Sequence, residues 1–226
     1  MHWFKRAVFW TVRSGVKGFM KLFLDYKIWG KDNIPRPGAK IYCSNHFSST
    51  DPFFMITVMD EIVHMVIGPG FTIPVLKSFL KAGEQINALP DERKNVIANA
   101  VTFLEKDEAI YIFPEGELNN QKELLRFYPG IGKIYLEHPC PIVPIGIISP
   151  IRFVKERESD IDDGETIHKT LTVLSGKYYA NIGEAMLFPN EEAMEDKKLA
   201  AEVITEKVKK RVQQLILDIK MRKFWE

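Results

Sequence analysis

AKIYCSNHFSSTDP, residues 39–52, changes character twice along its length. Residues 39–43 are short and mostly apolar, and the preceding segment 31–38 is punctuated by Pro35, Pro37 and Gly38, so the run reads as a buried strand entered from a loop. A polar run follows from Ser44. Asp51 and Pro52 then have the signature of a helix start, Asp as N-cap and Pro at the first helical position, with the helix running through Met59. Strand, polar turn and helix in immediate succession is the repeating unit of an α/β fold.

The unit recurs outward from this point. Residues 61–67, 85–89, 109–113, 142–148 and 177–182 read as further strands. Residues 73–82, 95–106 and 191–223 carry helical spacing, the last at Leu199, Val203, Val208, Val212, Leu215 and Ile219. Residues 25–30 read as a lead into the 31–38 loop, and residues 152–164 as a charged surface loop. Short apolar strands alternating with helices predict an α/β domain with a mixed, mostly parallel sheet and helices on both faces.

A chain of 226 residues with 46% apolar composition suits one such domain and supplies a sizeable core. The 31 basic residues nearly cancel the 30 acidic ones, so net charge points to no partner. Cys43 and Cys140 fit no zinc or redox spacing, which predicts two free thiols in a reducing compartment. No secretory signal is expected, because the N-terminus lacks a continuous apolar core followed by a small-residue cleavage site.

Residues 1–24 stand apart from the rest. They hold Lys5, Arg6, Arg13, Lys17 and Lys21 and no acid. On a helix these cations occupy one broad side and Phe4, Val8, Val12, Phe19 and Leu22 the other, with Trp3 and Trp10 near the boundary. That pattern predicts an amphipathic helix on a membrane surface, peripheral and on the cytoplasmic face, with residues 25–226 as the domain proper. The cations interrupt the apolar run too often for a membrane span. Docking on the domain's own core is the other reading of the same pattern.

Four segments could carry chemistry. His46 and Asp51 lie beyond the end of a predicted strand, where ligands bind in open α/β sheets. A carboxylate accepting from Nδ1–H would leave Nε2 to take a proton near neutral pH; equally, Asp51 could be only a helix cap. Glu115 and Gly116 follow the 109–113 strand in the turn Phe113-Pro114-Glu115-Gly116, either an acceptor for a substrate hydroxyl or a plain turn. Arg93 and Lys94 stand at a helix entry, suited to a phosphate or simply solvated. Val143 and Pro144 belong to an apolar strand that could be core or the wall of an acyl channel.

In this order, the segments resemble the blocks of the glycerophospholipid acyltransferase family, which includes the bacterial 1-acylglycerol-3-phosphate acyltransferases. Asn45-His46 through Asp51 is like the N-H-x4-D block, residues 80–95 with Gly83 and Arg93 like a second, Phe113-Pro114-Glu115-Gly116 like F-P-E-G, and Val143-Pro144-Ile145-Gly146 like a fourth. Phe127, Gly130, Lys133 and the 181–184 turn also fit.

The resemblance implies His46 as the base that deprotonates an acceptor hydroxyl and Asp51 as its orienting partner. It implies Asn45, Arg93, Lys94, Glu115 and Gly116 around the acceptor, Arg93 at its phosphate, and Val143 and Pro144 around the acyl chain. The acceptor would be a lysophospholipid, foremost 1-acylglycerol-3-phosphate. The donor would be acyl-CoA or acyl carrier protein as co-substrate, with no metal, no other cofactor and no nucleic acid. One departure stands out: F-P-E-G-T-R-S continues here as Glu117-Leu118-Asn119, which removes the motif arginine. Lys122 or Arg126 could supply the charge, or the acceptor could be another lysolipid, a glycolipid or an aminolipid. A thioesterase-like hydrolase and a non-catalytic lipid-binding protein are the rival classes.

Overall fold

All six strand-like runs of the sequence enter one seven-stranded sheet in the computed structural model. The described residues are 3–121, 123–156, 161–168 and 170–222, without the side chains of Phe4 and Lys5. Lys122 and Lys223 therefore lie outside them. In chain order the elements are α1 (Trp3–Phe23), β1 (Leu24–Trp29), β2 (Ile41–Ser44), α2 (Asp51–Val58), β3 (Val63–Ile67), α3 (Pro74–Ala82), β4 (Ile86–Asn87), α4 (Val96–Leu104), β5 (Ala109–Ile112), α5 (Gly130–Glu137) and β6 (Ile142–Ile148). Four short strands follow, β7 (Lys155–Glu156), β8 (Ile161–Asp162), β9 (Ile167–His168) and β10 (Leu171–Thr172). The described chain closes with β11 (Gly176–Ile182), α6 (Pro189–Glu192) and α7 (Lys197–Lys220).

The strand order is β1-β11-β6-β2-β5-β3-β4, and every pairing is parallel except β11 with β6. Period-two alternation sorts the side chains onto two cores. Tyr42, Tyr111, Val143, Ile145 and Tyr178 face one side, with Phe54 and Met55 of α2 and Phe9 and Met20 of α1. Ile41, Cys43, Ile110 and Ile112 face the other, with Leu104 of α4, Ile134 of α5 and Ile204, Val208 and Val212 of α7. Both cysteines are free and buried.

Three elements depart from the sequence reading. β1 replaces the expected loop lead: Leu24, Tyr26 and Ile28 face the core, but the strand lies at the sheet edge and is too mixed in polarity to stand out. α5 begins Gly130-Ile131-Gly132, a poor helix former on propensity; a Cβ on Gly132 would collide with the backbone of Ala201 in α7, so glycine there permits close helix packing. The 191–223 segment is two helices, because Asp196 caps a fresh start by accepting from Leu199 N–H at 3.0 Å, which leaves Leu199 exposed. The charged 152–164 stretch, expected as a surface loop, contributes two short strands among its described residues: β7 pairs with β10 and β8 with β9 in an excursion between β6 and β11.

Strands β2, β5, β3 and β6 all end at one sheet edge, and β1, running the opposite way, begins there. That edge receives both the 44–51 turn and the end of α1. α1 docks on α2 through Phe9, Arg13 and Met20, with Val12, Val16 and Phe19 packed on the same core. Arg13 thus leaves the expected cationic side. It is buried, donates to the carbonyls of Ile56 (3.1 Å), Met59 (3.0 Å) and Thr57 (3.3 Å), and pairs with Asp60 at 2.5 Å. A cation placed on the unpaired carbonyls at a helix C-terminus satisfies groups that the helix cannot. Arg13→Ala is therefore expected to destabilise the fold by about 2–4 kcal/mol, measured by urea denaturation, whereas a solvent-facing cation would cost almost nothing.

Candidate active site

Asp51 is the first residue of α2, and its carboxylate turns back toward the strand instead of capping the helix. Oδ2 accepts from the Phe47 and Ser48 N–H groups at 2.9 Å each and meets His46 Nδ1 at 2.9 Å. Oδ1 accepts from the Tyr178 hydroxyl of β11 at 3.1 Å. The carboxylate is fully buried, whereas the His46 side chain keeps 18% of its surface exposed. An ionised Asp51 only accepts, so Nδ1 is the donor, and in the neutral ring Nε2 carries the lone pair. The ring stacks on Phe113 with centroids 4.2 Å apart. The expected cap is thus a histidine-orienting carboxylate, and the nominal N-cap, Thr50, makes no side-chain capping bond.

Glu115 comes from the turn after β5 and is wholly buried. Oε1 accepts from His46 N–H and from the Asn119 amide, both at 2.8 Å; Oε2 accepts from Asn119 at 3.0 Å and from Leu125 N–H at 2.8 Å. Asn119 N–H donates in turn to the His46 carbonyl at 2.7 Å. Burial pushes the Glu115 carboxyl above its ordinary range, an effect these donors oppose. Gly116 is exposed in a left-handed conformation (φ 71°), which lets its N–H close a turn on Phe113 O and lets Tyr128 pass alongside.

The other expected site residues divide. Asn45 is buried beside His46, but its amide exchanges two 2.8 Å hydrogen bonds with the Ile147 backbone, extending the β2–β6 pairing by a side chain. Val143 lies in the core shared with Phe47, and Pro144 is buried. The adjacent Gly146 is explained by packing, because a Cβ there would strike the α7 backbone at Leu215 and Ile216. Arg93 and Lys94 are exposed ahead of α4, and Arg93 contacts Glu165, on the turn between β8 and β9, at 3.3 Å. Arg126 is exposed.

Phe113 and Asn119, named in the sequence only as part of the F-P-E-G block and of its departure, acquire contacts with His46 and Glu115, and Tyr178, which sequence reasoning did not single out, completes the centre. The excursion adds its backbone: Leu171 O accepts from Ser49 N–H at 2.7 Å and from Ser48 Oγ at 3.2 Å, and Val173 N–H donates to Ser48 Oγ at 3.2 Å. No spacing in the sequence links residues 171–178 to residues 46–51; the strand order does. Among the described residues no group of His, Cys, Asp and Glu is arranged to hold a metal ion.

A histidine held by a buried carboxylate at the carboxyl edge of a parallel sheet meets a match in family models: the model described as Acyltransferase covers residues 25–148. The chain belongs to the Acyltransferase family. The matched segment of this acyltransferase runs from β1 through β6 and contains His46, Asp51, Glu115 and Asn119. Among solved structures, the crystal structure of the 1-acyl-sn-glycerophosphate (LPA) acyltransferase PlsC from Thermotoga maritima has the same fold, with a TM-score of 0.72, 20% identity, and coverage of 96% of this chain and 82% of that one. No curated protein gives a sequence match of comparable significance.

Replacing Asp51 by Ala would leave the His46 Nδ1–H, two backbone N–H groups and the Tyr178 hydroxyl without an acceptor. The expected loss is about 3 kcal/mol of unfolding free energy, read by denaturant titration. A carboxylate serving only as an exposed cap would give about 1 kcal/mol.

Proposed function

We propose that this acyltransferase moves a fatty acyl group from acyl-CoA or acyl carrier protein to the free hydroxyl of a lysophospholipid, foremost 1-acylglycerol-3-phosphate, in phospholipid biosynthesis at a membrane surface. The observation that carries the reading is the 2.9 Å contact between Nδ1 of the partly exposed His46 and the buried Asp51, which occupies Nδ1 and leaves Nε2 as the ring nitrogen for proton transfer. Nε2 takes the proton of the acceptor hydroxyl as its oxygen attacks the thioester carbonyl. The tetrahedral intermediate collapses, the C–S bond breaks, and the departing thiolate takes that proton from the imidazolium. The ester oxygen comes from the acceptor, so the donor acts as co-substrate and no further cofactor takes part.

Arg93 remains the candidate cation for an acceptor phosphate, reached by displacing Glu165 from an exposed pair worth little in water. Leu118 stands where the F-P-E-G-T-R-S pattern has arginine, so acceptor choice is the finest part of this proposal. The test is acyl transfer by purified protein in mixed micelles, with both donors against a panel of lysolipids. Transfer to 1-acylglycerol-3-phosphate is expected, with a loss of about 10³-fold or more in His46→Ala and retention of the fold by circular dichroism. Fatty acid released independently of any acceptor would overturn the reading in favour of a hydrolase.

Peripheral membrane attachment through α1 belongs to the same proposal. Among the described residues no helix is long and apolar enough to cross a membrane. Much of the apolar face of α1 is spent on α2, so the surface left for lipid is the exposed stripe of Trp3, Ala7, Thr11, Gly15, Gly18 and Leu22, bordered by Arg6, Lys17 and Lys21. Binding to anionic vesicles is expected to weaken as salt rises and to fall in a variant with Gln at 6, 17 and 21. Salt-independent binding would leave hydrophobic insertion as its sole basis.

A further inference from the structure

We propose that Glu115 and Asn119 are positioning residues that lock the His46 main chain against Asp51, and that Glu115 is not a ligand of the acceptor. The proposal rests on the acyl-transfer reading for its kinetic test, but its geometry is independent of substrate.

The first argument is a count of acceptor capacity. An ionised carboxylate offers about four lone-pair sites. Glu115 fills them with contacts of 2.8–3.0 Å to His46 N–H, the Asn119 amide and Leu125 N–H. No surface of the residue reaches solvent. A substrate hydroxyl would have to break one of these bonds inside the protein to gain its own. Its partners are all N–H donors and they meet both oxygens, so the ionised carboxylate fits there, whereas an amide would turn one NH2 against a donor and a protonated acid one O–H.

The second argument is what those donors fix. The N–H of His46 is held by Glu115 Oε1 and its carbonyl by Asn119 N–H, so both polar groups of one residue are fastened to the segment after β5. Its Nδ1 is held by Asp51, and its ring lies on Phe113, from that same segment. Main chain, ring plane and ring edge are thereby fixed from two elements, α2 and the 113–119 turn. Nε2 then has one direction in which to meet an acceptor hydroxyl, and preorganisation of that kind is worth rate, not affinity. Asn119 departs from the F-P-E-G-T-R-S pattern, which has serine at that position. Its amide reaches both Glu115 oxygens, where a hydroxyl could donate once.

The test combines kinetics with a spectroscopic readout on the full chain. Asn119→Ala is expected to lower kcat about tenfold and Glu115→Gln about a hundredfold, each with the acceptor KM changed less than about twofold. Asn119→Ser, which keeps one donor for Glu115, should recover part of the loss. In proton NMR, the hydrogen-bonded Nδ1–H resonance of His46, assigned by its disappearance in His46→Ala, is expected to shift or broaden in Asn119→Ala and to return toward its position in Asn119→Ser. A Glu115→Gln variant whose acceptor KM rises tenfold at constant kcat would overturn the proposal by making Glu115 an acceptor ligand. So would an Asn119→Ala variant with unchanged resonance. If the wild type transfers to no acceptor while the resonance moves as expected, the functional reading falls and the positioning role stands.

Discussion

A carboxylate with no exposed surface has to be given donors, and the centre of this protein is organised around supplying them to Asp51. Its partners come from the His46 ring, the backbone of Phe47 and Ser48, and the hydroxyl of Tyr178. The first three belong to the turn that leaves β2. The fourth comes from β11, more than a hundred residues later in the chain. Satisfying one buried charge thus ties the turn, the start of α2 and a distant strand into one geometry. Burial without those donors would cost several kcal/mol.

The same helix is held at its other end by a buried charge of opposite sign. Arg13 from α1 covers the last carbonyls of α2. α2 is short, Asp51–Val58, and too brief to be stable alone. It therefore takes its position from these two anchors and from its apolar packing against Tyr178 and the sheet. The element proposed to contact lipid and the element that aims the histidine are consequently in direct contact.

The excursion between β6 and β11 acquires a place in this scheme. At its returning end, Leu171 and Val173 hydrogen-bond the Ser48–Thr50 backbone and hydroxyls, and at its far turn Glu165 reaches Arg93. Residues 165–173 are thus tied to the 48–50 turn at one end and to Arg93 at the other, although nothing in their composition announces it.

What the sequence determined by itself was local. The apolar runs named the strands, the 3.6-residue spacing named the helices, and His46 and Asp51 fell on a strand-to-helix turn, where an α/β sheet presents its ligands. β1 and α5 escaped because an edge strand carries a weak pattern and because Gly132 answers to a neighbour, Ala201, rather than to helix propensity. Tertiary structure alone decided the roles. Arg13 turned inward, Asn45 became a backbone pin to Ile147, Glu115 was enclosed by N–H donors, and Tyr178 arrived at Asp51 from across the sheet. The physical reason is that a polar side chain takes its meaning from the partner that satisfies it. For each of these residues that partner is distant in sequence and is brought near by strand order and helix docking, which no local pattern encodes.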